Sequence, residues 1–162
     1  MRYQIREKLF SFTDDFTIKN QYDEPSFNVV GKFLSIGHKL NLEDLNGNQL
    51  YYMEQKLFKF LPEYYIYDAL GNQVAIVKKQ FTFFTPKFDI ESNYGSYELS
   101  GDLFDHDFEI TKNNNVCAII SKQWFSLACT YGVDINETED QAFILSLVIV
   151  LDKVMDDQKR SN

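Results

Sequence analysis

Between Asp134 and Asp140 the chain reads D-I-N-E-T-E-D, which sets oxygen-bearing side chains at Asp134, Asn136, Thr138 and Asp140, every second residue. Calcium-binding EF-hand loops begin this way, because a hard cation collects carboxylate and carbonyl oxygens. The remainder of the loop does not follow: its sixth position is Glu139, where the sharp turn needs Gly, and its twelfth is Leu145, where a bidentate Glu belongs. An EF-hand is therefore rejected, and the plain reading is a helix cap with solvated acids. A second acidic group, Glu98, Asp102, Asp105, Asp107 and Glu109, lies in a stretch from Ser96 to Glu109 without Lys or Arg. The two histidines, His38 and His106, are too far apart for H-E-x-x-H, and no phosphate-binding, dinucleotide-binding or nucleophile-elbow motif occurs. A metal-dependent enzyme using the acidic strands with His106 therefore ranks last among the functions considered. The candidate anion-binding residues are Gln55, Lys79 and Lys122, which occupy equivalent places in a repeat. They predict either a cationic ring at one mouth of the fold, pairing with acids at a helix end or holding an anionic ligand, or a rim or bulge that turns them to solvent.

That repeat supplies the elements. Two apolar residues separated by one other recur at Phe16 and Ile18, Leu40 and Leu42, Tyr64 and Ile66, Phe88 and Ile90, Phe108 and Ile110, and Val133 and Ile135, with steps of 24, 24, 24, 20 and 25. After the first five pairs comes a turn signal such as Asn46-Gly47-Asn48 or Leu70-Gly71-Asn72, then a second extended run. Asp44 to Leu50 aligns with Asp68 to Val74, and Ala75 to Phe81 aligns with Ala118 to Trp124. An apolar spacing of two within each unit indicates strands. With an opening strand at Tyr3 to Phe10, the count is twelve. In the second strands the inward set is expected to be Phe27, Val29 and Phe33; Tyr51, Met53 and Leu57; Ala75, Val77 and Phe81; and Ala118, Ile120 and Trp124.

The one long apolar run is Ala142 to Leu151, broken only by Ser146. Thr138 and Gln141 have capping-box spacing, which predicts a helix over 138–155 and a tail without order over 157–162. Ten apolar residues closed by Asp152 and Lys153 fall short of the roughly 20 of a membrane span. A helix apolar all round must be surrounded. Twelve meandering strands close to remove their edges, and a barrel of that number is too wide for side chains alone to fill. The fold class is therefore mainly β: a twelve-stranded antiparallel closed barrel around a buried apolar C-terminal helix, one domain over 1–156.

Sixteen basic against 24 acidic residues give a net charge of −8, which argues against a broad electrostatic grip on nucleic acid or on anionic lipid and leaves room only for a local basic patch. The start, MRYQIREKLF, lacks the apolar core of a secretory signal. Cys117 and Cys129 read as two half-buried free thiols of a cytoplasmic protein.

Ordered along the chain, Ile5-Arg-Glu-Lys-Leu-Phe10, Val30-Gly-Lys-Phe33, Gln55-Lys-Leu57, Phe81-Thr-Phe-Phe-Thr-Pro-Lys-Phe88, Ile120-Ser-Lys-Gln-Trp-Phe125, Thr130-Tyr-Gly-Val133 and Ile149-Val-Leu-Asp-Lys-Val154 resemble small bacterial LURP-one-related proteins of the tubby C-terminal-like superfamily. The resemblance spans nearly the whole chain and implies the barrel just counted. Tubby domains bind phosphoinositides. Phospholipid scramblases, more distantly similar, bind calcium near the final helix, which makes Asp134, Asn136 and Asp140 the candidate metal ligands; no other cofactor is expected. The resemblance favours a non-enzymatic binding module for an anionic phospholipid headgroup or a partner protein. The next reading is an interaction subunit that oligomerises through outer positions Val74, Ile76 and Ile119.

Overall fold

The computed structural model describes residues 1–6, 15–32, 37–124 and 130–161, with side chains as far as Gln158. Twelve strands run in order: β1 (Arg2–Arg6), β2 (Phe16–Asn20), β3 (Pro25–Gly31), β4 (Lys39–Glu43), β5 (Gln49–Gln55), β6 (Glu63–Asp68), β7 (Gln73–Lys79), β8 (Phe88–Ser92), β9 (Tyr97–Asp102), β10 (Asp107–Lys112), β11 (Asn115–Ser121) and β12 (Thr130–Ile135). Helix α1 (Gln141–Ser161) ends the chain. Each strand pairs antiparallel with its neighbours in sequence, and β1 closes the barrel on β12 through pairs such as Tyr3↔Val133.

The repeat is a turn device used again and again. Asp44 Oδ1 accepts the backbone N–H groups of Asn46 (2.8 Å) and Asn48 (2.9 Å), and 24 residues later Asp68 Oδ1 accepts those of Leu70 (2.9 Å) and Asn72 (2.8 Å). The Asn48 and Asn72 side-chain amides, donating to these carboxylates, hold both carboxyls below their ordinary range, and the backbone hydrogen bonds add to the effect. Asn20 and Ser92 stand at the same step and accept from Tyr22 and Tyr94. Gly47 (φ 83°) and Gly71 (φ 85°) complete the two Asp-clamped turns in a left-handed conformation that a side chain would strain.

Just past the turns, the register skips one residue in β3, β5, β7 and β11, at Ser26, Leu50, Val74 and Cys117. Such bulges bend a strand and increase its twist, which helps a flat meander curl shut. They also turn a residue expected outside toward the core. Val74 is buried, so it is not an outer-wall position, and Cys117 is buried with its Sγ 3.2 Å from the Ile110 carbonyl oxygen. Ile76 is half-buried and Ile119 exposed, as outer positions should be.

Every paired apolar residue of the repeat points inward: Ile18, Leu42, Ile66, Ile110 and Val133 are fully buried, and Phe88, the least enclosed, still packs on the core. The second strands keep their phase only while they last. Val29, Met53, Val77 and Ile120 are buried, but Leu57 and Phe81 are exposed and Trp124 is half-buried, because β5, β7 and β11 stop at Gln55, Lys79 and Ser121. Phe33 and Cys129 lie outside the described residues.

The helix fills the lumen. All fourteen residues from Ala142 to Met155 are buried, and each large apolar one contributes about 1.5–3 kcal/mol by leaving water. Ser146 meets its own need by donating to the Ala142 carbonyl at 2.9 Å. Two boundaries differ from the expectation. Asp140, not Thr138, caps the helix, its Oδ1 accepting the Phe143 N–H at 2.9 Å. Thr138 instead sits in a turn where its own N–H donates to Asn136 Oδ1. The helix also continues through residues 157–161, where a tail was expected, because Asp157 and Gln158 find partners on the barrel rim. No helix among the described residues is long and apolar enough to cross a membrane.

Candidate functional site

The candidate residues sort to the two mouths of the barrel. At the mouth where α1 begins, Asp140 binds the helix N-terminus with one oxygen and accepts the Tyr51 hydroxyl with the other at 2.8 Å. Tyr51, Tyr94 and Tyr97 surround Phe143 with ring centroids 5.7, 4.6 and 5.7 Å away. Asp134 pairs with Arg2 at 2.9 Å, Asn136 organises the turn to Thr138, and Lys112 donates to Glu139. The proposed metal ligands Asp134, Asn136 and Asp140 are thus each engaged by protein groups, and among the described residues no three His, Cys, Asp or Glu side chains are grouped for a metal.

The other mouth, where α1 ends, holds the cationic candidates. Gln55 and Lys79 terminate β5 and β7, one strand apart, and Lys122 opens the short 3₁₀ turn after β11, four strands further round. All three are half-buried at the rim. Lys79 nevertheless donates to Gln158 of the helix, and burial holds its ammonium below the ordinary lysine value. His38 meets Asp157 at 3.1 Å, and His106, stacked on Tyr131 with centroids 4.3 Å apart, meets Asp152 at 2.6 Å. Cationic and imidazole groups therefore gather round the negative end of the helix dipole. The cavity beside His106, lined by Leu103, Phe108, Tyr131 and Met155, is only about 10 Å³, so this lumen end holds at most one water.

Sequence reasoning missed the most exposed feature of this mouth. Residues 56–62 and 80–87 connect β5 to β6 and β7 to β8. They carry Phe58 (103% exposed), Phe60 (92%), Phe81 (65%), Phe83 (84%) and Phe84 (94%). Their bases adjoin, since Lys79 N–H donates to the Pro62 carbonyl at 3.0 Å, and Phe81 and Phe83 meet edge to face at 5.2 Å. From Glu54 to Glu63 and Lys78 to Asp89 there are five lysines against three acids, in a chain whose net charge is −8. The signal was present: K-L-F-K-F-L-P and Q-F-T-F-F-T-P each end on a proline, at Pro62 and Pro86, and break the alternation.

Buried phenols and a thiol fix the alkaline limit of the fold. Burial raises the Tyr51 and Tyr97 hydroxyls, pushes Tyr52 up to about 12 and Cys117 up to about 11. Each folded value lies above the unfolded one, so the unfolded chain loses its protons first as pH rises. This contribution to stability is complete below about pH 9 and is lost between about pH 9 and 12. The urea midpoint is expected to fall steadily across that window. Tyrosinate absorbance should appear together with unfolding, and a midpoint flat to pH 12 would contradict the burial of these groups.

A model of the LURP-one-related family matches residues 1–152. The uncharacterised protein YxjI of Bacillus subtilis (strain 168) is 37% identical over 151 residues, covering 93% of this chain and 91% of YxjI. A solved Arabidopsis thaliana protein, AT5G01750, superposes with a TM-score of 0.70 at 16% identity, over 94% of this chain and 90% of that one, which shows a shared fold.

Proposed function

This chain belongs to the LURP-one-related family, and from that membership we propose a non-enzymatic binding module that docks on an anionic membrane surface, on the cytoplasmic side, through the mouth where α1 ends. The observation that carries this reading is the pair of adjoining loops with Phe58, Phe60, Phe83 and Phe84 almost wholly in water. Apolar side chains so exposed and so clustered on a folded domain mark an interaction surface. The lumen is taken up by buried residues of α1 from Ala142 to Met155, so recognition falls to the outside and the rim. Lys59, which also reaches Glu63 at 3.5 Å, and Lys87 stand among the loop phenylalanines in the chain, while Lys56 is turned to Glu54 and Tyr65 on the barrel wall. Interfacial membrane binders combine apolar and basic side chains in this way.

Fully burying one Phe is worth about 1.5–3 kcal/mol, and a lysine near an anionic surface about 1 kcal/mol. Four inserted rings would supply about 6 kcal/mol even at the low end, enough for reversible rather than permanent attachment. The reading calls for no metal, since at the opposite mouth Asp134 pairs with Arg2 and Asp140 caps the helix.

Flotation with phosphatidylcholine vesicles, with and without 30% phosphatidylglycerol and with and without calcium, tests it. The chain is expected to float with the anionic vesicles independently of calcium. The double variant Phe83→Ser, Phe84→Ser should lose at least tenfold in partitioning with an unchanged melting temperature, because exposed rings contribute little to the fold. No flotation, or flotation undiminished in the variant, sinks the membrane reading.

A further inference from the structure

The wall of the barrel is not uniformly zipped. β8 makes five pairs with β7 and β9 makes six with β10, but β8 and β9 share a single pair, Ile90↔Tyr97. Continuing that register would set Asp89 opposite Glu98 and Phe88 opposite Leu99, and neither pair forms. Asp89 and Glu98 are both exposed, and like charges directly opposite on an antiparallel pair disfavour it, although Asp102 and Asp107 do pair across β9 and β10. The two strands part into an outer groove of about 670 Å³. Its floor is Phe88 and Leu99, half-buried against the core, and its sides carry Asp89, Glu91 and Glu98 against one lysine, Lys87. Gln80 donates to Asp89 at 2.6 Å and Lys78 pairs with Glu91 at 2.7 Å, which leaves Glu98 as the acid open to a partner. Two stretches of extended backbone thus face a cleft instead of each other, which is the template that an added strand completes.

We propose that this seam is a strand-addition site for an extended, basic segment of a partner protein. A peptide lying in the groove pairs its main chain with the edges of β8 and β9. Its alternate side chains fall on two faces. One set meets Phe88 and Leu99. The other places Lys or Arg between Asp89 and Glu98. β9 strengthens the preference, because the whole stretch from Ser96 to Glu109 holds five acids and no Lys or Arg. The site is separate from the phenylalanine loops and does not rest on membrane docking.

A random dodecapeptide phage library selected against the full chain, followed by amide hydrogen exchange with the enriched peptides, tests the proposal. Enriched sequences should alternate Lys or Arg with apolar residues and bind with micromolar Kd. They should slow exchange at Phe88–Ile90 and Glu98–Leu99 at least tenfold. N-methylation of alternate peptide amides should abolish that protection. Glu98→Lys, which reverses the charge that the basic segment meets, should weaken binding at least tenfold while the melting temperature holds or rises. Phe83→Ser, Phe84→Ser should bind the peptides as wild type does, so failure of vesicle docking and failure of the seam are told apart. No enrichment, binders whose protection maps to the phenylalanine loops, or a seam closed by a second copy of the chain in light scattering would each overturn the proposal.

Discussion

Leu147→Asp is expected to leave no folded protein. Leu147 is 0% exposed, on the middle turns of a helix surrounded on every side by the barrel wall. A carboxylate there has no partner and no route to water. The alternatives are to carry an uncompensated charge, which costs several kcal/mol even after relaxation, or to protonate and still bury an unsatisfied polar group. Domains of this size are stable by about 5–15 kcal/mol, and the lost burial of Leu adds about 2–5 kcal/mol to the damage. Ile149→Asp, also at 0% exposure, should behave alike. Gln123→Asp, at an exposed position of the rim, is the matched control and should express and melt as the parent does. Soluble yield and far-ultraviolet circular dichroism decide the matter; a folded Leu147→Asp protein would mean that the helix does not occupy the lumen.

That expectation could be formed from the sequence because periodicity and length are properties of strings. The 24-residue step fixed the number of strands and the phase of the inward pairs, and an apolar run without a polar side had to be enclosed. Phase, however, does not say where a strand stops. Leu57 and Phe81 have the right parity, yet lie past Gln55 and Lys79, in the loops that became the exposed mouth. A bulge inverts parity without a compositional mark, so Val74 and Cys117 turned inward unannounced. The seam between β8 and β9 is a matter of register, which spacing alone leaves open by a residue. Asp152 and Lys153 are the clearest case. In the string they close the apolar run; in the barrel both are buried, at 9% and 2% exposure, because the wall reaches one helical turn beyond the greasy segment.

A buried Asp152 needs a partner, and the fold brings one from the turn between β9 and β10. His106 is 5% exposed, with φ at 52°, a left-handed conformation that costs a non-glycine residue about 1–2 kcal/mol. The surrounding contacts outweigh that cost: stacking on Tyr131 and the 2.6 Å contact between its Nε2 and Asp152 Oδ1. Replacing Asp152 with Leu removes the carboxylate that the buried imidazole meets, and the expected loss is about 3 kcal/mol, read as a lower urea midpoint at unchanged slope. Replacing His106 with Leu strands the carboxylate and should cost at least as much. The double variant His106→Leu, Asp152→Leu removes both needs together, and the loss should shrink well below the sum of the single effects, since well-packed apolar groups often substitute for a buried polar pair. A coupling of more than about 1.5 kcal/mol in this cycle places the pair as the bolt that holds the last turns of α1 in the mouth. Additive losses would mean that the helix is held there by its apolar contacts alone, and the rim contacts of Asp157 and Gln158 would then be consequences of its position rather than causes of it.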